Sequence, residues 1–402
     1  MNSYRLIIPD YRGGCIADVP GTAGELLGLS MKRYLDSKIV DYEELGEFDN
    51  VVLLVVDGMG RDILERELPP PSVFEIDDFK TIDSVYPSTT AAGITSLNTG
   101  LEPCEHGLIE WEVWDEEKGK VVKPLPSVDL EGEHVDIEKF FEGKPIYSTF
   151  SELGVDCHVY QPEKNSGSAF SEALMEGAES QGYANLCDLF VTLADDVNRS
   201  EGSNYFYAYV GDVDKLSHKQ GPESEHVGAQ VEQVFHLLEK EFLRRIDGGS
   251  DTCLIVTADH GQIDVSGSDM VDISAYDEVW DQLYIKDGKE IPPTGGPRDM
   301  LLNVKNQATV IKTLRKYFGE VSDLYRINKL LNIGMFGNGD TSKLFDERIG
   351  DILVLPRKDR KMYYSENHEG IKEMKGMHGG VSEEEVKVPL FVGSVEDIKK
   401  KR

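Results

Sequence analysis

Four short apolar runs constrain this chain more than any other feature. Val51 to Val56 leads into Asp57, Tyr205 to Val210 leads toward Asp214, Cys253 to Val256 leads to Asp259, and Pro389 to Val392 closes the series. Runs that are apolar throughout, without alternation, predict parallel strands covered on both faces, and sites in such sheets form at the carboxyl ends of the strands. Helical patterns lie between them. After Pro222, the residues Val227, Val231, Val234, Phe235, Leu238 and Phe242 recur at three- and four-residue steps, which is one apolar face of a helix. Strands alternating with such helices predict a doubly wound α/β/α sandwich.

The segment from 265 to 372 carries a pattern of its own. Met300 to Val304 reads as a strand, Val310 to Phe318 as a helix, Ile352 to Leu355 as a strand, and the glycine-rich Gly334 to Gly339 as a tight connection. This predicts an inserted cap subdomain over 265–372, with 1–264 and 373–402 forming the catalytic domain. Residues 112 to 145, charged and bearing proline and glycine, read as a surface excursion.

At 402 residues the chain can bury a sizeable core. Its formal charge of -32 is spread without blocks, so no basic stripe exists to displace counterions from a nucleic-acid duplex. A small anionic substrate remains compatible if metal cations invert the local potential. Cys15, Cys104, Cys157, Cys187 and Cys253 form no CxxC pair, which argues against a zinc ribbon or a disulfide framework. Without a signal-peptide pattern or a long apolar span, the expectation is a reduced, soluble, cytoplasmic protein with no membrane partner.

Asp259 and His260 follow the third apolar run and precede Gly261; at a strand's end they offer one carboxylate and one imidazole to the same cation. Asp214 and His218, four residues apart, face one way if the segment makes a helical turn. Asp57 ends the first run, and His378 lies beside the Gly379-Gly380 pair. Each alone has an ordinary reading as a capping carboxylate or a surface imidazole. Together, three aspartates and three histidines, five of them just past apolar runs, make two clusters of nitrogen and oxygen ligands. The stretch from Tyr86-Pro87 through Ser88, Thr89 and Thr90 to Leu97 predicts a loop entering a helix, where free N–H groups favour an incoming phosphate and a hydroxyl could attack phosphorus. Residue chemistry leaves the choice among the three hydroxyls open.

Asp57-Gly58, Pro87 to Gly100 continuing to Pro103 and His106-Gly107, Asp214 through His218 to Gly221-Pro222, Thr257 to Gly261, and His378-Gly379 stand in the order found in one family. In this the chain resembles the type I phosphodiesterase and nucleotide pyrophosphatase proteins of the alkaline phosphatase superfamily, over nearly its whole length. The resemblance implies an alkaline phosphatase-like fold and a hydrolase of phosphoric ester or anhydride bonds with two divalent ions. Asp214, His218 and His378 would hold one ion and Asp57, Asp259 and His260 the other. Thr90, beside that second ion and counted among its ligands, would be the nucleophile that becomes phospho-threonine.

Zinc is the implied metal, and manganese or iron also suit the donor set. The implied partner is a small phosphoester, a nucleotide among the candidates. Gly93 and Ala91 stand where nucleotide-hydrolysing members carry an asparagine and an aromatic residue. Gly93, Trp111 and Arg298 are the candidate substrate contacts, with Arg298 and the N–H groups of Thr90 and Ala91 as phosphate donors. Glu112 and Trp114 could line the pocket or pack on the cap. His106 reads as structural, and His134, His158, His226, His236 and His368 as ordinary histidines. The alternatives are a phosphomonoesterase or phosphonate hydrolase on the same fold, or a non-catalytic metal-binding relative.

Overall fold

The computed structural model describes residues 6–70, 72–247, 251–265, 270–286, 289–357, 360–363 and 369–401. His368 lies outside the described residues. The first apolar run is strand β1 (Asn50–Val56), buried at all seven positions. Burying a valine or leucine side chain contributes about 1.5–3 kcal/mol, so a strand covered on both faces belongs at the sheet centre. There β1 pairs in parallel with the strands that form from two of the other runs, Asn204–Val210 and Thr252–Thr257.

The seven-stranded sheet also takes in Lys80–Asp83 (β2), Asp156–Pro162 (β3) and Glu179–Tyr183 (β4). With Asn204–Val210 as β5, Thr252–Thr257 as β6 and Lys387–Ser394 as β7, the order across the sheet is β2-β7-β6-β1-β5-β3-β4. β6, β1, β5, β3 and β4 run parallel.

The run Pro389 to Val392 departs from the parallel arrangement, since β7 pairs antiparallel with β6. The reason is topological. Asp259 and His260 leave the carboxyl end of β6, and the chain returns to that same edge at His378, whose ring stacks on His260. With only the short helix Glu383–Val386 between His378 and β7, the chain does not cross to the far edge before re-entering the sheet.

Four helices matter for the site: α1 (Thr90–Thr99), α2 (Leu186–Arg199), α3 (Asp212–Gln220) and α4 (Glu225–Leu237). In α4 and the π-helical turn over Leu238–Leu243, the expected stripe of Val227, Val231, Val234, Phe235, Leu238 and Phe242 is buried.

Within 265–372, strands Thr294–Gly296, Asp299–Leu302, Ser322–Arg326 and Ile352–Pro356 form a separate four-stranded sheet. Helix Gln307–Phe318 packs on it through Val310, Leu314 and Phe318, in an apolar cluster with Met300, Leu302 and Val354. Ile327, Met335, Phe336, Phe345 and Ile349 join the main core instead. The Gly334–Gly339 loop is pinned there by Glu102, whose Oε2 accepts the Gly339 N–H at 2.9 Å. Residues 113–129 form a small three-stranded sheet, and Trp114 is buried in it against Val121 and Ile291.

Candidate metal centre and active site

The side chains at the carboxyl edge of the sheet are brought together by backbone features that tolerate no extra bulk. Asp57 follows β1, and its N–H bonds to Val210 O at 2.9 Å while its carbonyl accepts the Asp214 N–H at 3.0 Å. Gly58 has φ 72°, and a Cβ there would lie 2.9 Å from the Asp214 Cα, so α3 can approach β1 only past a glycine. Asp214 sits in the first turn of α3 and His218 one turn later, on the same face. Asp259 and His260 follow β6, and Gly261 lies so close to the Glu384 carbonyl that a Cβ would overlap it.

Two groups of potential ligands result, Asp57 with Asp259 and His260, and Asp214 with His218 and His378. In the first, His260 Nε2 is 3.3 Å from Asp57 Oδ1 and 3.6 Å from Asp259 Oδ2. In the second, His218 Nε2 and His378 Nε2 are 3.2 and 3.8 Å from Asp214 Oδ1. Ligands around a tetrahedral ion at bond lengths of about 2.0 Å are separated by about 3.3 Å. The two groups adjoin, because the His260 and His378 rings stack with centroids 3.7 Å apart.

The hydrogen bonding shows what the groups could bind. All three imidazoles direct Nδ1 at a backbone carbonyl: His218 at Gly376 O (2.8 Å), His260 at Gly261 O (3.0 Å) and His378 at Ser88 O (3.1 Å). An Nδ1–H donated to a carbonyl leaves Nε2 with its lone pair, the arrangement of metal-binding histidines. Asp57 Oδ1 and Asp259 Oδ2 are buried without a hydrogen-bond partner. Acceptors facing acceptors at ligand spacing fit divalent cations, and buried carboxylates left so would otherwise be costly.

Electrostatics agree. Burial, then the charges of Asp259 and Asp214, push the Asp57 pKa well up. Burial and the His260 ring push His378 well down. Burial disfavours charge on His218, yet Asp214 outweighs it and raises the pKa, drawing a proton to where a cation would sit.

Thr90 is the first residue of α1, and its Oγ lies 3.1 Å from His260 Nε2. The neighbouring hydroxyls are engaged elsewhere. Ser88 donates to Gly380 O at 2.8 Å, and Thr89 is the helix N-cap, accepting the Ala92 N–H at 3.4 Å. In the first turn the N–H groups of Thr90 and Ala91 have no acceptor within the helix.

A cavity of about 1250 Å³ opens beside this edge, lined by Asp57, Thr90, Asp214 and His218, with Trp111 on its wall. Two expected substrate contacts are corrected. Arg298 is buried, with its guanidinium held by Glu385 at 2.9 and 3.2 Å and by Arg357 O at 3.2 Å, so it offers no donor to a phosphate. Gly93 faces Asp259 instead: a Cβ there would lie 2.9 Å from the Asp259 Cβ, and the glycine serves the close approach of α1 to the end of β6.

Two supporting residues escaped the sequence reading. Tyr209, one residue before the end of β5, donates its hydroxyl hydrogen to Asp57 Oδ2, and Gln262 Nε2 donates to Asp214 Oδ1. An aromatic strand residue and a lone glutamine carry no motif, so only the fold shows them.

The family model for type I phosphodiesterase / nucleotide pyrophosphatase matches residues 51–381. The chain belongs to this family. An ectonucleotide pyrophosphatase/phosphodiesterase of Caenorhabditis elegans is 32% identical over 103 residues, 25% of this chain and 12% of that protein. The chain spans about a quarter or less of the length of the curated relatives it matches. Among solved structures, murine ectonucleotide pyrophosphatase / phosphodiesterase 5 superposes with a TM-score of 0.63 at 18% identity, covering 85% of this chain and 87% of that one. A phosphonoacetate hydrolase from Sinorhizobium meliloti, in complex with phosphonoformate, reaches 0.62 at 16% identity, covering 85% and 89%. At these identities the likeness extends to the fold, a mixed α/β architecture around a mostly parallel seven-stranded sheet. No helix among the described residues is long and apolar enough to cross a membrane.

Proposed function

We propose that this family member hydrolyses a small phosphoester or phosphoanhydride by way of a covalent phospho-threonine at Thr90. The observation that carries the reading is the convergence of two Asp/His groups at ligand spacing, with the Thr90 hydroxyl, unlike those of Ser88 and Thr89, directed at them, 3.1 Å from His260 Nε2. Asp57, Asp259 and His260 would hold one divalent ion and Asp214, His218 and His378 another, zinc suiting this thiolate-free set well. When bound, such a pair lowers the pKa of a hydroxyl or water and neutralises charge on the attacking and leaving oxygens.

The chain's own groups do the rest. Thr90 Oγ forms the new bond to phosphorus as the leaving oxygen departs in line with its electron pair, and the hydroxyl proton passes to solvent. The N–H groups of Thr90 and Ala91 at the head of α1 orient the phosphoryl oxygens. Water then cleaves the Oγ–phosphorus bond and restores Thr90. On this reading residues 265–372 would act as a cap, and Trp111 contributes an aromatic wall to the cavity.

The test is turnover of a nitrophenyl nucleotide diester by protein reconstituted with zinc or manganese. Asp214→Ala and His378→Ala should each lose most of the activity while keeping the native circular-dichroism spectrum. Full turnover by either variant at saturating metal would refute the two-site reading.

A further inference from the structure

We infer that Arg298 and Lys361 are positioning residues for the second group of ligands: they fix the stretch that carries His378 from both sides, so binding of the second ion depends on how residues 265–372 are seated. This rests on the two-site reading above and goes beyond it. Three lysine or arginine side chains are buried among the described residues, Arg298, Arg348 and Lys361. Burying such a charge is costly unless its donors are satisfied, so what each one holds is informative. Arg348 donates to the carbonyls of Gly107 and Phe140. The other two grip one short stretch of chain, before and after His378.

Lys361 opens the strand Lys361–Tyr363, and its ammonium donates to Met374 O at 2.8 Å, Ile371 O at 3.2 Å and Lys372 O at 3.4 Å. Arg298 lies in the turn between the strands Thr294–Gly296 and Asp299–Leu302. Its fork holds both oxygens of Glu385, at 2.9 and 3.2 Å, and the nearer oxygen, Oε1, also accepts the Gly380 N–H at 2.9 Å. A Cβ at Gly379 would stand 3.5 Å from the Arg298 Cβ, so the backbone beside His378 lies directly on this residue. The two cations belong to one block, because Arg298 also donates to Arg360 O and the Met362 N–H bonds to Pro297 O at 2.8 Å. Met362 is buried in the apolar cluster of Met300, Leu302 and Val354. A shift of the block would move both grips together.

Between the gripped points, Met374 and Gly380, the chain has only the two-residue strand Gly376–Met377. Two of the three ligands depend on that stretch. It carries His378, and it holds His218, whose Nδ1 faces Gly376 O at 2.8 Å and whose carbonyl accepts the Lys375 N–H at 2.8 Å. A ligand on irregular backbone needs support from its surroundings, because a small displacement spoils the donor geometry. Asp57, Asp259 and His260 follow β1 and β6, so the central sheet itself supports them. A buried ion pair is seldom more stable than an apolar one, and the Arg298–Glu385 contact is better explained by the geometry it imposes on Gly380.

The experiment counts zinc ions bound per full chain across free zinc concentrations set by a competing chelator. Wild type should bind two. Lys361→Met keeps the length of the side chain and removes its donors; it should weaken one ion by about tenfold or more and the other by less than about threefold. In Asp259→Ala, which leaves the second group intact, adding Lys361→Met should weaken the remaining ion by the larger factor. In His378→Ala, which leaves the first group intact, it should change the remaining ion little. Arg298→Lys keeps the charge and loses the fork, should act in the same direction, and carries the test if Lys361→Met does not fold. A purely structural role would weaken both ions alike or neither, and either result would overturn the assignment. A wild-type chain that binds fewer than two zinc ions would instead remove the two-site reading on which it stands.

Discussion

Tyr209 reaches from β5 to the end of β1 and donates its hydroxyl hydrogen to Asp57 Oδ2, leaving Oδ1 as the oxygen turned toward His260. The strands fix this geometry, since Tyr209 pairs with Val55, two residues before the carboxylate. A hydrogen bond to the outer oxygen of a metal-binding carboxylate orients it, and losing one costs about 10–100-fold in metal affinity or activity. Tyr209→Phe keeps the ring and removes the donor. It should weaken metal binding by that order, read by chelator competition, with the melting temperature little changed. Wild-type metal affinity in Tyr209→Phe would mean that packing alone holds Asp57.

The three hydroxyls at the head of α1 separate by partner. Thr90→Ala should abolish the phospho-enzyme and reduce turnover by roughly a thousandfold or more while metal still binds. Ser88→Ala loses the bond to Gly380 O, and Thr89→Ala loses a helix cap worth about 1 kcal/mol. Both should retain substantial activity at reduced stability. Trapped phosphate on residue 88 or 89, located by peptide mass spectrometry, would contradict this order.

Gly93 lies in the first turn of α1, where alanine would ordinarily stabilise a helix by about 1 kcal/mol. Here the added methyl would stand 2.9 Å from the Asp259 Cβ and 3.0 Å from its carbonyl oxygen. Overpacking costs about 1–3 kcal/mol, so the steric effect wins. Gly93→Ala should lower both stability and metal affinity, because the group it strikes is one of the candidate ligands. An increase in melting temperature would show that α1 can shift away without loss.

His106 sets an acid limit on stability. It is fully buried, with Nε2 3.0 Å from Ser96 Oγ and Nδ1 accepting the Leu108 N–H at 3.1 Å. Burial, and then Arg348, push its pKa down to about 3. The unfolded chain takes up this proton near the usual value of about 6.5, so the folded state loses stability as pH falls from there toward the folded value. Above that window both states are neutral and the effect is flat. The loss is on the order of a few kcal/mol. Denaturant unfolding across the window should show a shallower pH slope in His106→Asn than in wild type, and equal slopes would place the titration elsewhere.

The parts of this molecule that could be read from sequence are those where local pattern and final environment coincide. Val51 to Val56 is apolar throughout because both faces of β1 are covered, and Asp57, Asp214, Asp259 and His260 follow strands because the turns after strands build the site. His378 carried no strand signal before it, and only its motif neighbours suggested a role. The direction of β7 was hidden because strand composition does not encode polarity; the return of the chain to the carboxyl edge determines it. Arg298 looked like a phosphate donor because a guanidinium often is one, but its partner, Glu385, lies far along the sequence. Gly93 was legible as a departure from a pattern and not as a contact, since the close approach of α1 to Asp259 exists only in three dimensions.

The antiparallel entry of β7 also sets a timetable. Asp57, Asp259 and His260 can meet as soon as β1 and β6 pair, while Asp214 and His218 wait for His378, which arrives only after the whole 265–372 segment has been made. Until β7 docks, β6 presents an open sheet edge, and docking seals that edge as it brings the last imidazole into place. On that order of arrival the candidate group of Asp57, Asp259 and His260 precedes that of Asp214, His218 and His378, and the second is completed where the last strand seals the sheet.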